Sequence, residues 1–226
     1  MTVLVECKHQ DNYTFIQMDD GKANALGFEM LAQLESALDQ AEAAGKVVII
    51  CGRPGKFSAG FDLNVMGGGG DDLVRLLRSG ADVSRRLLAF PAPVILAVSG
   101  HAIAMGGLLT LSADYRIGVH GTYKIGLNEV AIGMTLPYFG IELARERLAS
   151  THFISAVTLA QLYDATGAVE AGFLDEVVSE EDLMPRAIAM AEQLAALDME
   201  AHKNTKARSR ETFVAVLADA VKKELG

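Results

Sequence analysis

The residue whose setting most strongly suggests chemistry is Glu129, which follows Asn128 between the apolar stretches IGL and VAIG. Upstream, residues 98–107 read VSGHAIAMGG and consist largely of small side chains. A carboxylate in apolar surroundings has a raised pKa and suits a general base. Small residues let the backbone approach a ligand closely and offer N–H groups to a carbonyl oxygen. The pattern predicts acid–base chemistry on a polarised carbonyl, the alternative being that Glu129 is a solvated surface acid.

Other kinds of site have little support in the sequence. The five histidines are scattered, and Cys7 and Cys51 lack metal-ligand spacing, so we expect no metal site and two reduced thiols. The tetraglycine at 67–70 lacks the strand and helix context of a dinucleotide-binding loop. No GxSxG segment is present, which disfavours an α/β-hydrolase triad.

Charge and hydropathy exclude several classes of partner. The 226 residues carry a formal net charge of −9, which argues against nucleic acid as a partner. The N-terminal MTVLVECKHQ does not have the pattern of a signal peptide, and no apolar run reaches the ~18 residues that span a bilayer. We therefore expect a cytoplasmic protein that does not enter a membrane.

The hydrophobic periodicity predicts an α/β protein. Helical spacing of apolar residues covers 28–44 and 73–88, and residues 106–114 suit a helix buried on all sides. Strands are predicted as an antiparallel pair within 3–18, as buried strands at 46–52 and 90–100, as a pair of short strands around Gly118 and Gly121, and near 173–178. The tetraglycine is predicted to be a mobile loop. We expect residues 1–150 to form the core with the site, and residues 151–226 to form a helical region for assembly.

Four segments, in the same order and at similar spacing, resemble the crotonase (enoyl-CoA hydratase/isomerase) superfamily. They are KFSAGFDL at 56–63, AVSGHAIAMGGLLTLSADYRIG at 97–118, KIGLNEVAIGMTLP at 124–137 and TGAVEAGFLDEVV at 166–178. The resemblance implies a crotonase-like spiral of ββα units whose C-terminal helices build a homotrimer or a dimer of trimers. It also implies an acyl-CoA substrate with no further cofactor. In typical members of the superfamily a C-terminal tail, longer than the one here, helps to close the CoA site.

The resemblance also implies roles for individual residues. Two backbone N–H groups, assigned to Ala59 and Met105, would hold the thioester oxygen, with the Met105 side chain pointing away. The nucleotide end of CoA would lie against the matching residues of the KANAL and GFDL segments, which are Lys22, Ala23, Ala25, Phe61, Asp62 and Leu63. Lys22, together with Lys56, would supply the local positive charge that the acidic chain lacks. Asp62 and Asp114 match family acids that serve structure or the CoA loop.

The expected reaction follows from one acid that is present and one that is missing. Hydratases of the family use two glutamates, and here their positions hold Leu108 and Glu129. A single glutamate is what the family's Δ3,Δ2-enoyl-CoA isomerases keep, and Pro137 stands where dienoyl-CoA isomerases have a second acid. Leu108, Leu136 and Pro137 would line an apolar acyl pocket. The alternatives are another single-base acyl-CoA reaction (residual hydratase, thioesterase or decarboxylase) and a non-catalytic acyl-CoA-binding homologue.

Overall fold

A computed structural model describes residues 2–226 and contains two β-sheets. The strands are β1 (Val5–His9), β2 (Tyr13–Met18), β3 (Val47–Cys51), β4 (Gly55–Ser58), β5 (Val94–Val98), β6 (Gly100–Ile103), β7 (Tyr115–Val119), β8 (Ile125–Gly126), β9 (Leu162–Tyr163) and β10 (Glu176–Val178). The larger sheet has the order β1-β2-β3-β5-β7-β10, and the smaller has the order β4-β6-β8-β9. All neighbours in the larger sheet are parallel except β1 and β2, which form the predicted antiparallel pair.

Nine α-helices and one 3-10 turn connect these strands within residues 2–226. They are α1 (Phe28–Ala44), α2 (Leu63–Gly68), α3 (Gly70–Ala89), α4 (Met105–Thr110), the 3-10 turn (Val130–Ile132), α5 (Tyr138–Arg147), α6 (Ser150–Val157), α7 (Ala165–Ala171), α8 (Leu183–Ala195) and α9 (Met199–Leu225). The α1 helix buries the apolar stripe that its sequence predicts, and every residue of α4 is buried. None of the described helices combines the length and the apolar character that crossing a membrane requires.

The chain alternates between the two sheets, and this alternation creates the spiral of ββα units. The pairs β3–β4, β5–β6 and β7–β8 each begin in the larger sheet and end in the smaller one. The prediction that residues 114–127 form two paired strands is therefore wrong, because β7 pairs with β5 and β10 whereas β8 pairs with β6 and β9. The turn at 120–124 carries the chain from one sheet to the other. The overall architecture is the spiral of ββα units that the resemblance implies.

The tetraglycine does not form the predicted loop. Gly67 and Gly68 end α2, and Gly70 begins α3, so that Gly69 alone separates the two helices. Gly69 has φ 63° and ψ −159°, a combination that is open to glycine and rare for other residues. The glycines therefore make a sharp break between two helices.

Residues after 150 contribute to both sheets as well as to the helical layer. β9 pairs with β8 in the smaller sheet, and β10 pairs with β7 in the larger one. Helix α9 packs against α3 and α5, and Tyr138 N–H donates to Glu224 Oε2 at 2.9 Å. The sequence indicated β10 but not β9, because two residues are too few to produce a pattern. A boundary at residue 150 and a role of the last helices in assembly stay predictions.

Candidate active site

Three parallel strands of the smaller sheet bring the candidate residues together. Ser58 of β4 pairs with Ala102 of β6, and Ile103 of β6 pairs with Gly126 of β8. Parallel strands in this register end at one edge of the sheet, where α/β proteins place their ligands. The chain leaves β4 into Ala59–Phe61, leaves β6 into α4, and leaves β8 toward Glu129. The sheet thus delivers the small-residue turn, the start of α4 and the carboxylate to a common edge.

The turn after β4 touches the start of α4. A Cβ atom on Gly60 would lie 2.8 Å from Ala104 Cβ and 3.2 Å from the backbone nitrogen of Met105, so only glycine fits there. Gly60 itself has φ 92°, and Ala104 has φ 54°, which is unusual for a residue with a side chain. Strained backbone of this kind is maintained where function requires an unusual geometry.

The structure corrects one of the two predicted oxyanion donors. The Ala59 N–H donates to the Ala23 carbonyl at 3.0 Å, so it is already used inside the protein. Among residues 2–226, no acceptor is found for the N–H of Phe61, two positions further on, or for that of Met105 in the open first turn of α4. Phe61 therefore replaces Ala59 as the candidate donor. The signal in the sequence was Gly60. Because Gly60 packs directly against the start of α4, the N–H of the next residue, Phe61, lies beside α4.

The side chains of Phe61 and Met105 both turn toward α3. A Cβ on Gly80 of α3 would collide with Phe61 Cζ and would lie 3.3 Å from Met105 Cε. Met105 is fully buried. Its side chain therefore packs under α3, as the sequence analysis required if its N–H is to face a ligand.

Glu129 is a half-buried residue whose carboxylate has no salt-bridge partner within residues 2–226. Its Oε2 is inaccessible to solvent and has no hydrogen-bond donor within residues 2–226, and the same holds for Oδ1 of Asn128. Burial raises the pKa of Glu129 to about 7, although the backbone N–H groups of Glu129 and Asn128 act in the opposite direction. Because a buried polar atom without a partner is costly, such atoms in native proteins call for an explanation. A group with this pKa exchanges a proton readily near neutral pH.

Leu108 occupies the position at which a hydratase would need its second carboxylate. It is 1% exposed, and its Cδ1 would lie 3.1 Å from a Cβ on Gly140, as would Leu136 Cδ1. Leu136 and Pro137 are also buried and lead directly into α5. This side of the site is a packed alkyl surface.

The remaining candidates lie in the loop before α1, at the start of α2 and just before β7. Lys22 is exposed, whereas Ala23 and Ala25 are half-buried in a loop that Asp20 organises by accepting N–H groups of Lys22, Asn24 and Ala25. Asp62 caps α2 by accepting the Asn64 N–H at 2.9 Å, and Leu63 is 67% exposed. Asp114 is bonded to Lys206 at 2.6 Å and to Arg210 at 2.8 Å, which ties α9 to the sheet. Asp62 and Asp114 therefore make structural contacts.

Nearly the whole chain matches the sequence model of a known protein family. The model of "Enoyl-CoA hydratase/isomerase" matches residues 8–225. The chain belongs to this family.

Solved structures and curated relatives within the enoyl-CoA hydratase/isomerase family agree with this assignment. An enoyl-CoA hydratase/isomerase family protein from Pseudomonas syringae is 44% identical, with a TM-score of 0.97 over 98% of this chain and 96% of the other. An enoyl-CoA hydratase from Mycobacterium marinum is 38% identical, with a TM-score of 0.93 over 99% and 100%. The human mitochondrial enoyl-CoA delta isomerase 1 is 29% identical over 213 residues, which cover 92% of this chain and 70% of that protein. Relatives of both names occur, so family membership alone does not decide between isomerisation and hydration.

Proposed function

We propose that this protein is an enoyl-CoA isomerase that moves the double bond of a 3-enoyl-CoA to give a 2-enoyl-CoA. The observation that carries the proposal is the carboxylate of Glu129, whose Oε2 is buried and has no hydrogen-bond donor within residues 2–226, combined with the alkyl side chain of Leu108. One base, with an alkyl side chain at the position considered for a second carboxylate, suits a proton shuttle.

The shuttle needs only one carboxylate because the proton returns to the substrate. Ionised Glu129 removes a proton from C2 of the 3-enoyl thioester, and the electron pair is delocalised over C2, C4 and the thioester oxygen. The protonated carboxyl then gives the proton to C4, and the double bond between C3 and C4 is replaced by one between C2 and C3. Atoms and charges balance without water or a further reactant. A pKa of about 7 suits both halves of this cycle.

The dienolate intermediate needs donors at its oxygen. The N–H groups of Phe61 and Met105 are proposed for this role, because both have no acceptor within the described chain and both flank the contact of Gly60 with α4. A donor of this kind is worth about 3 kcal/mol of transition-state stabilisation. Backbone donors held in a strained turn cost little reorganisation during the reaction.

Hydration is the less favoured reaction. A hydratase has to activate water, and the position considered for that base holds Leu108, packed with Leu136 against Gly140. An alkyl group accepts no proton, and the surface around it excludes water. We propose that Leu108, Leu136 and Pro137 contact the apolar acyl chain instead.

The CoA portion is proposed to run past Ala23, Ala25, Phe61, Asp62 and Leu63 toward Lys22. Acyl-CoA as the substrate class is consistent with the enoyl-CoA hydratase/isomerase family. The homotrimer or dimer of trimers and the cytoplasmic location remain predictions from the sequence.

The proposal is tested by incubating the purified protein with 3-enoyl-CoA thioesters of several chain lengths. We expect ultraviolet absorbance to rise as the double bond becomes conjugated with the thioester. Incubation with 2-enoyl-CoA should give little 3-hydroxyacyl-CoA. Hydration faster than isomerisation, or no conjugation with any chain length, would contradict the proposal.

A further inference from the structure

Asn24 is a fully buried polar residue in a left-handed backbone conformation. It lies between β2 and α1, is 0% exposed and has φ 51°, a conformation that asparagine tolerates better than most residues. Its side-chain Nδ2 donates to the backbone carbonyls of Met18 at 2.9 Å, Lys56 at 3.2 Å and Phe57 at 3.2 Å. One amide therefore joins the end of β2 to β4, the strand that leads into the Ala59–Phe61 turn.

Ser58 connects Asn24 to this turn. It ends β4 and is also 0% exposed. Its Oγ donates to the Asn24 carbonyl at 2.8 Å and accepts the Gly60 N–H at 3.2 Å, and a hydroxyl group can do both at once. Ser58 is thus bonded to Asn24 on one side and, on the other, to the residue that precedes the candidate donor Phe61.

The backbone of the loop before α1 fixes the direction of the Phe61 N–H. The Leu26 N–H donates to the Gly60 carbonyl at 2.8 Å, and the Leu26 carbonyl accepts the Asp62 N–H at 3.3 Å. Leu26 and Phe61 thereby form a parallel bridge. In such a pairing, the residue between the two bonds has its own N–H on the opposite side of its chain. The Phe61 N–H therefore points away from the loop.

Ser58 also lies against α4, which carries the second candidate donor. A Cβ on Gly106 would collide with the Ser58 carbonyl and would lie 2.9 Å from Ser58 Cβ. Gly106 directly follows Met105 in the first turn of α4. Ser58 is therefore packed between Asn24 and α4, and its position affects the N–H of Phe61 and that of Met105 together.

An oxyanion site needs a precision that these buried bonds can supply. Backbone donors stabilise a developing oxyanion when they lie about 2.7–3.1 Å from it. A misplacement of about 1 Å can lower a rate by about 10²-fold. Because the side chains of Asn24 and Ser58 are 0% exposed, they act on a ligand only through the groups that they hold in place.

We propose that Asn24 and Ser58 are positioning residues of the oxyanion site, which hold the Phe61 N–H at a fixed direction and distance relative to the Met105 N–H. The nature of the oxygen that the two donors bind, that of a thioester, rests on the proposed function. Without the Ser58 hydroxyl, Gly60 loses a bond on the side next to Phe61, and the donor that follows is less firmly placed.

The test compares S58A with the matched control S99A. Ser99 is also buried, and its Oγ likewise donates to a backbone carbonyl at 2.8 Å, that of Arg53. It precedes β6, whereas the site lies beyond the other end of that strand. Both variants lose a buried hydroxyl group, so denaturant titration should show that both are destabilised. We expect S58A alone to lower kcat on 3-enoyl-CoA, by about 10²-fold at nearly unchanged KM.

A second readout needs no turnover. The enolate of acetoacetyl-CoA carries negative charge on its thioester oxygen and absorbs in the ultraviolet, so its absorbance when bound reports how well the site holds an oxyanion. We expect the wild-type protein and S99A to favour the bound enolate, and S58A to form it only at higher pH. N24G keeps the left-handed backbone, which glycine adopts freely, but lacks the amide, and it should reproduce S58A in both readouts. Since both residues hold one turn, N24G/S58A should lose less than the product of the single losses.

Each contrary result has a distinct meaning. If S58A and N24G both match S99A in kcat and in enolate formation, the positioning role is wrong. A loss confined to KM would also overturn it, because donors that act in the transition state change kcat. A wild-type protein that binds acetoacetyl-CoA without favouring its enolate would contradict the donors themselves, whereas enolate formation without isomerase activity would contradict the proposed function alone.

Discussion

Leu108 and Gly140 are in such close contact that a single added carbon would force them apart. A Cβ on Gly140 would lie 3.1 Å from Leu108 Cδ1 and equally far from Leu136 Cδ1. The glycine of α5 therefore makes room for the alkyl side chain that occupies the place of a second acid. This packing is the structural reason for favouring a one-base reaction.

The Leu108–Gly140 contact predicts the effect of G140A on stability. The added methyl group should overpack this side of the site at a cost of about 1–3 kcal/mol, of which replacing a helical glycine offsets about 1 kcal/mol, so the free energy of unfolding should fall by about 1 kcal/mol. The control is G67A, because Gly67 lies in α2 with no atom within 4 Å of an added Cβ. G67A should be neutral or stabilising by up to about 1 kcal/mol. Denaturant titration of both variants checks this, and equal stabilities would contradict the packing.

The contact of Gly60 with α4 predicts a loss of catalysis in G60A. An added Cβ would meet Ala104 Cβ at 2.8 Å in a residue with φ 92°, so the N–H groups of Phe61 and Met105 should move apart. Loss of one oxyanion donor lowers kcat by about 10²–10³-fold. G45A is the control, because Gly45 also has positive φ, 63°, but nothing lies within 4 Å of its Cβ position. Steady-state kinetics with a 3-enoyl-CoA should show that G45A keeps its activity, and a fully active G60A would contradict the donor assignment.

The pKa of Glu129 predicts the pH dependence of the reaction. The free enzyme must carry ionised Glu129 to remove the C2 proton, and burial raises this pKa to about 7. The value of kcat/KM should therefore increase about tenfold per pH unit well below pH 7 and level off above it. A profile that is flat from pH 5.5 to 8 would place the base elsewhere.

The sequence was informative wherever a pattern extends over many residues. The periodicity of α1 and the all-apolar run of β3 predicted those elements correctly, and the four motif segments predicted the family. The sequence did not predict structural features that depend on only one or two residues. The two residues of β9 carry no period, and the helix break at Gly69 depends on one backbone conformation.

Candidate side chains of the site can be named from the sequence, whereas the availability of backbone groups cannot. The carboxylate of Glu129 and the alkyl group of Leu108 can be read directly from the sequence. The backbone N–H of Ala59 is unavailable because it donates to the Ala23 carbonyl, whereas the N–H of Phe61 has no acceptor within residues 2–226. That contact joins residues 36 positions apart and has no signal in either segment.

The most direct test of the central claim is the isomerase activity of E129Q. Glutamine keeps the shape of the side chain but cannot take up the C2 proton, so we predict a fall in kcat of about 10²–10⁴-fold on 3-enoyl-CoA. E146Q, which changes an exposed glutamate of α5, serves as the matched control and should retain wild-type activity. Full activity of E129Q in the same assay would contradict the assignment of Glu129 as the base that carries the proton from C2 to C4.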